Sequence, residues 1–210
     1  MSPIFAGVAA FFSVAALVFY IIASCGYSKD RKVLKGCHWI YFEQNYDYFY
    51  SSIDEKVYFG LKGYYYLSSD PALSGSNKFY YYGSSDEYYS LNECDESGKS
   101  AFWATIIACI FSFISAITNG VGGVSEAKVV KAVSAVLSII ACLSGIIAVG
   151  VFMSTCFDKI YNDASYTSDL YYGNGSILAI TALIFNFFAF ILAIVNIIVG
   201  VGHIPLANQE

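Results

Sequence analysis

The chain has 210 residues, of which 57% are hydrophobic and 13% charged, with a mean hydropathy of +0.57. A soluble domain carries about a quarter charged residues, so the composition points to a membrane protein. The net charge of −5 and the pI near 4.9 leave no basic footprint for nucleic acid.

In chain order, residues 3–25, 101–123, 132–157 and 176–202 contain no Asp, Glu, Lys or Arg. Each is long enough to cross a hydrocarbon core about 30 Å thick as a helix. The expected layout is a first transmembrane helix over 1–25, a long loop over 26–100 and a second helix over 101–119. A short turn over 120–131, a third helix over 132–155, a second loop over 156–175, a fourth helix over 176–202 and a tail over 203–210 follow. The first segment has no basic residue ahead of it and exceeds the usual apolar length of a signal peptide, so it is expected to be a retained helix.

Each segment carries a stripe of small or amide residues at alternating steps of three and four. In the fourth it runs Gly175, Ala179, Ala182, Asn186, Ala189, Ala193, Asn196, Gly200. In the third it is Ser134, Ser138, Ala141, Gly145 and Ala148; in the second, Thr105, Cys109, Ser112, Ala116 and Asn119; in the first, Ser2, Ala6, Ala9, Ser13 and Ala16. Within lipid, helices associate where small residues let backbones approach and polar groups bond across. A repeat of about 3.5 residues implies a left-handed bundle. Phe111, Phe185 and Phe188 are expected to face outward. Asn186 and Asn196 are read first as interhelical hydrogen-bonding groups and second as a transport path.

The long loop holds 14 of the 19 tyrosines, eight of the 11 basic residues and 11 of the 16 acidic ones. Aromatic runs at 37–42, 56–59, 64–67 and 78–82, bounded by Gly, Ser, Asp and Pro, read as strands of a small antiparallel sheet. Trp39, Tyr65 and Tyr81 are the candidate partner surface. Cys25, Cys37, Cys94 and Cys156 all fall at or beyond helix ends on one side, which suits two disulfides in an oxidising compartment. Cys37–Cys94 and Cys25–Cys156 are the favoured pairing among the three possible, with Cys109 and Cys142 free. The cysteines place both loops outside the cell, whereas Lys29, Arg31, Lys32 and Lys35 pull the other way by the positive-inside rule. That rule weakens for so long a loop.

No nucleotide-binding loop, dinucleotide fingerprint or zinc spacing is present, and no cofactor or metal is expected. His38, Ser51 and Asp54 form a catalytic trio only by residue type. The expected function is therefore non-enzymatic. Membrane lipids and either further copies of the chain or a larger membrane complex are the expected partners.

Trp39, followed by Gly60-Leu61-Lys62 in a long first outer loop between four spans, resembles the tetraspan superfamily of claudins, peripheral myelin protein and related fungal membrane proteins. Claudins carry a Trp, then Gly-Leu-Trp, then two nearby cysteines. Here Lys62 replaces the second Trp and the close cysteine pair is missing. The resemblance implies a multi-pass protein of the plasma membrane with an extracellular sheet. The sheet and the outer helix faces lead first to an organising role; the resemblance adds service as an accessory subunit of a channel or larger complex, and a pore or transporter is the third reading. A MARVEL-type tetraspan, some of which have Tyr-rich outer loops, is the second resemblance.

Overall fold

The computed structural model describes residues 3–48, 51–69, 77–84, 91–124, 128–163 and 169–201. Four long helices dominate: α1 (Pro3–Ser24), α3 (Asn92–Val124), α4 (Lys128–Phe152) and α6 (Asn174–Val201). All four are long and apolar enough to cross a membrane. Two short helices, α2 (Arg31–Cys37) and α5 (Asp158–Asp163), and five strands complete the order. The strands are β1 (Ile40–Tyr48), β2 (Ser51–Phe59), β3 (Gly63–Ser68), β4 (Lys78–Tyr81) and β5 (Asp169–Tyr172).

Several element bounds differ from the sequence expectation for local reasons. α3 starts at Asn92, inside the stretch assigned to the loop. Glu93 and Asp95 lie in its first turn, where carboxylates oppose the positive helix end. Lys99 reaches back one turn to Asp95 at 2.6 Å. Residues 37–39 do not begin a strand. Asp30 caps α2 instead, accepting hydrogen bonds from the backbone of Lys32 at 2.9 Å and Val33 at 3.1 Å. Cys37 ends that helix. Beyond α4 the chain continues through a π-helical turn, Met153–Phe157, into α5. The tail, with Gly202 and His203, lies outside the described residues.

The chain divides into two compact units. The first comprises Met1–Phe19, Ile107–Gly145 and Thr181–Glu210, and its described part is helical. Ala6, Ala9, Ser13 and Ala16 are buried there, as are Ser134, Ser138, Ala141, Ala182, Asn186, Ala189 and Ala193. Gly145 is also buried. Ile184, Phe187, Ile191 and Ile198 occupy the opposite face of α6 and are exposed. On α3 the buried set is Ala108, Ser112, Ser115 and Asn119, while Cys109 and Ala116 are only half-buried. Phe185 does not face outward alone: its ring meets Phe12 at 5.3 Å and Phe19 at 5.6 Å between centroids.

The second unit comprises Tyr20–Ile106 and Ile146–Ile180. Its five-stranded antiparallel sheet has the order β4-β3-β2-β1-β5. The second loop therefore supplies an edge strand: Ile40 pairs with Tyr172 and Phe42 with Leu170. Alternation sends Ile40, Phe42, Val57, Phe59, Tyr64, Tyr66 and Tyr80 into one buried core. That core also takes Ala23, Ala101, Ala104, Ala148, Phe152 and Ala179 from the helix ends.

Cys94 is bonded to Cys156, with Cα atoms 4.9 Å apart. This corrects both expected pairings. Because α3 begins at Asn92, Cys94 lies in its first turn and meets Cys156 on the π-helical turn. Cys25 and Cys37 are left as thiols, as are Cys109 and Cys142.

Candidate functional site

Trp39 is fully buried, which removes it from any partner surface. Its indole N–H donates to the carbonyl of Ala23 at 2.9 Å, its backbone N–H donates to Phe59 O at 2.7 Å, and its ring meets Phe152 edge-on. A large aromatic with its polar edge satisfied is a core anchor. It joins the end of α1, the foot of β1 and α4.

The Gly60-Leu61-Lys62 segment sits at the same foot. The backbone N–H of Leu61 donates to Gly26 O at 2.8 Å, and Tyr82 Oη donates to Gly60 O at 2.9 Å. A Cβ on Gly60 would collide with Gly26 and with Leu34, so only glycine allows this approach. Gly98 of α3 lies equally close under the carbonyl of Leu61. The Trp and Gly-Leu residues that carry the family resemblance thus work together, seating the sheet on helix ends.

Lys62 departs from that pattern and does something different. Its ammonium lies 5.0 Å from the centre of the Tyr27 ring and 5.6 Å from that of Tyr81. Tyr27 stacks on Phe102 at 4.3 Å, and Phe102 meets Trp103, which is 64% exposed. A partly exposed cation between two aromatic faces is held by the ring quadrupoles while keeping its charge available.

The same chemistry recurs along the sheet face that carries Tyr81, since the register sets Tyr58 opposite Tyr65, and Tyr65 opposite Phe79, two residues from Tyr81. Arg31 lies 5.5 Å from the Tyr65 ring and Lys35 6.0 Å from the Tyr58 ring, both reaching from α2. Tyr65 Oη donates to Asn77 O at 2.6 Å, so its hydroxyl is already used. Tyr81, Tyr171 and Tyr172 remain exposed at the two sheet edges. Across β1 and β2, Lys56 pairs with Glu43 at 2.6 Å and Tyr41 Oη donates to the same carboxylate at 2.7 Å. These two donors, the Lys56 bond first, hold the Glu43 pKa below the usual carboxylate range.

His38 packs against Tyr41 and Tyr58, with Nδ1 3.0 Å from Lys35 O. Burial pushes its pKa below the ordinary histidine value, partly opposed by that backbone contact. It is a core imidazole beside a tyrosine pair. Among the described residues, no group of three or more His, Cys, Asp or Glu could hold a metal ion.

The helical unit holds a separate polar array. Asn186 Nδ2 donates to Ser112 Oγ at 2.9 Å, and both residues are fully buried. The hydroxyls of Ser13 and Ser115 lie 3.3 Å apart, and those of Ser115 and Ser138 2.7 Å apart. Asn119 Nδ2 donates to Ser115 Oγ at 3.2 Å. This array ties α1, α3, α4 and α6 together by side-chain bonds. Asn196 lines a narrow cleft with Thr118, Asn119, Lys131 and Ser134, away from the Asn186 pair.

The sequence matches no protein-family model and no curated protein.

Proposed function

We propose that this chain is a non-enzymatic, multi-pass membrane protein of claudin-like layout that organises membrane or cell-surface assemblies. Its four long helices form a left-handed bundle across the plasma membrane, and the sheet stands outside the cell. Assembly runs through the sheet and the outer helix faces, with membrane lipids and further copies of the chain as partners.

One observation carries this reading: polar chemistry is spent internally in the helices and displayed on the sheet. The Asn186–Ser112 pair and the serine array are buried and mutually bonded. Groups so engaged hold helices together and offer no hydrated path. The sheet, by contrast, presents Tyr81 beside the Lys62 cation and leaves Tyr171 and Tyr172 exposed at its other edge. Tyrosine and arginine are the residues most used in protein recognition.

Native mass measurement in a mild detergent tests the proposal. A homo-oligomer is expected, and a fixed association with one foreign protein would favour the accessory-subunit reading instead. Orientation is tested by placing cysteine at exposed Lys78 in a chain whose Cys25 and Cys37 are serine. An impermeant maleimide should label it on intact cells; labelling only after permeabilisation would reverse the topology. Ion or solute flux through liposomes that Asn186→Leu abolishes would replace the organising role with transport.

A further inference from the structure

The geometry points to a redox centre in the sheet unit: Cys25 and Cys37 form a dithiol that closes to an intramolecular disulfide by exchange with a small disulfide such as oxidised glutathione. Three features bring the two residues together. Cys25 opens the 3-10 turn Cys25–Tyr27 at the end of α1, and Cys37 ends α2. The two elements pack so closely that a Cβ on Gly26 would stand 2.8 Å from the carbonyl oxygen of Cys37. Trp39, two residues beyond Cys37, is bonded to Ala23, two residues before Cys25, which fixes the chain on both sides. Neither residue is buried: both Cys25 and Cys37 are of intermediate exposure.

The thiol of Cys37 has a raised pKa, chiefly from burial and then from the charge and hydrogen bond of Cys25 beside it. Such a thiol reacts slowly as the pH falls, and closure should accelerate toward alkaline pH. In the reaction one thiolate attacks a sulfur of the small disulfide and releases one thiolate of it. The second cysteine then attacks the protein-side sulfur and releases the other. One small disulfide is reduced to two thiols, the dithiol loses two electrons, and the two protons pass to the released thiols. The product clips the end of α1 to the end of α2, just ahead of β1. Cys94–Cys156 joins the starts of α3 and α5, so the two bonds would fasten both loops at their roots.

The test uses the full chain in detergent micelles, equilibrated over a range of reduced and oxidised glutathione and mapped without reduction. Trypsin cuts after Arg31, Lys32 and Lys35, so the two cysteines fall on separate peptides unless bonded. A linked 25–37 pair is expected, with the ratio of closed to open form falling as the square of reduced glutathione at fixed oxidised glutathione, while Cys94–Cys156 stays intact. Cys37→Ser should trap glutathione on Cys25. The proposal fails if glutathione remains attached to the unmodified chain with first-power dependence. It fails equally if both thiols stay alkylatable throughout or if Cys25 or Cys37 is joined to Cys94 or Cys156. Because the unmodified chain gives the deciding readout, a poorly folding variant would not obscure it.

Discussion

The two units solve the same packing problem with opposite residues. The helical unit is built from alanine, serine, glycine and asparagine, with its large side chains on the outside. The sheet unit buries Trp39, Phe59, Tyr64, Tyr66 and Phe152 and places charges at its surface. The proposed placement, with the helical unit in lipid and the sheet in water, accounts for the contrast. In water, burying an aromatic ring removes a large apolar area and stabilises strongly. In lipid that gain vanishes, and close backbone approach with internal hydrogen bonds takes over. A substitution should therefore have opposite consequences in the two units, which offers direct ways to break the comparison.

Shrinking the largest anchor of the sheet unit should have the largest effect. Trp39→Ala is expected to cost about 3–5 kcal/mol, since it empties a ring-sized site and orphans the Ala23 carbonyl. Trp39→Phe keeps most of the ring and should cost clearly less. Chemical denaturation followed by near-ultraviolet circular dichroism measures both. Equal losses for the two variants would mean that the hydrogen bond, not the volume, seats the sheet.

Enlarging a small residue is the matching test in the helical unit. Ala189 is fully buried on α6, and Ala189→Leu is expected to cost about 1–3 kcal/mol by overpacking. Gly145→Leu should behave likewise. Ile184→Leu, on the exposed face, should be neutral. If Ala189→Leu were as harmless as Ile184→Leu in a thermal scan, the small-residue seam would have no packing role.

Much of this contrast was legible in the sequence, through a period in the helical unit and through aromatic composition in the sheet unit. The small residues of α6 recur at three and four without a break from Gly175 to Asn196, and the period alone places them on one face. The tyrosine runs of β3 and β4 carry no period of two in sequence; aromatic enrichment between Gly, Ser, Asp and Pro marks them as strands, and which tyrosines turn inward shows only in the structure. What stayed hidden depends on contacts distant in sequence. β5 is four residues long and exists through its pairing with β1. Cys94 finds Cys156 because α3 starts early, which hydropathy cannot reveal since its first turns are polar. Trp39 reads equally well as anchor or partner contact until the carbonyl of Ala23 is seen beneath it. The signal for α2 was present, in Asp30 ahead of a buried Leu34, but is too short for periodicity to expose.

A smaller effect should distinguish the units by pH. His38 belongs to the sheet unit, and its folded pKa lies below the ordinary value of 6.5 because burial disfavours its charge. Lys35 and the rings of Tyr41 and Tyr58 face it. A lowered folded pKa means that the unfolded chain binds the proton first as the solution is acidified. The stability contribution is full above about pH 6.5 and is lost as pH falls through the folded pKa. Melting of the sheet unit should therefore become less stable below pH 6.5, and His38→Gln should remove that component. An unchanged pH profile in His38→Gln would assign the acid sensitivity to the carboxylates.

The smallest effect on stability is expected where the proposed function is greatest. Tyr81 is 40% exposed on edge strand β4, and its main neighbours are Phe79 and Lys62. Tyr65 is half-buried, under Arg31. Neither ring belongs to the buried core. Replacing each with serine should therefore shift folding stability by no more than about 0.5 kcal/mol for Tyr81, with somewhat more for Tyr65. Assembly should respond differently. An exposed aromatic that anchors a contact typically costs more than about 1 kcal/mol of binding when truncated, which is roughly fivefold or more in affinity. Tyr81→Ser should thus weaken oligomer formation in a mild-detergent native gel while thermal melting stays in place. Lys62→Gln, which leaves both rings but removes the cation between them, separates the two contributions. Loss of assembly in Tyr81→Ser but not in Lys62→Gln would assign recognition to the ring. Loss in both would assign it to the ring and cation acting together, and full assembly in both would move the contact off the sheet to the exposed phenylalanines and isoleucines of the helices.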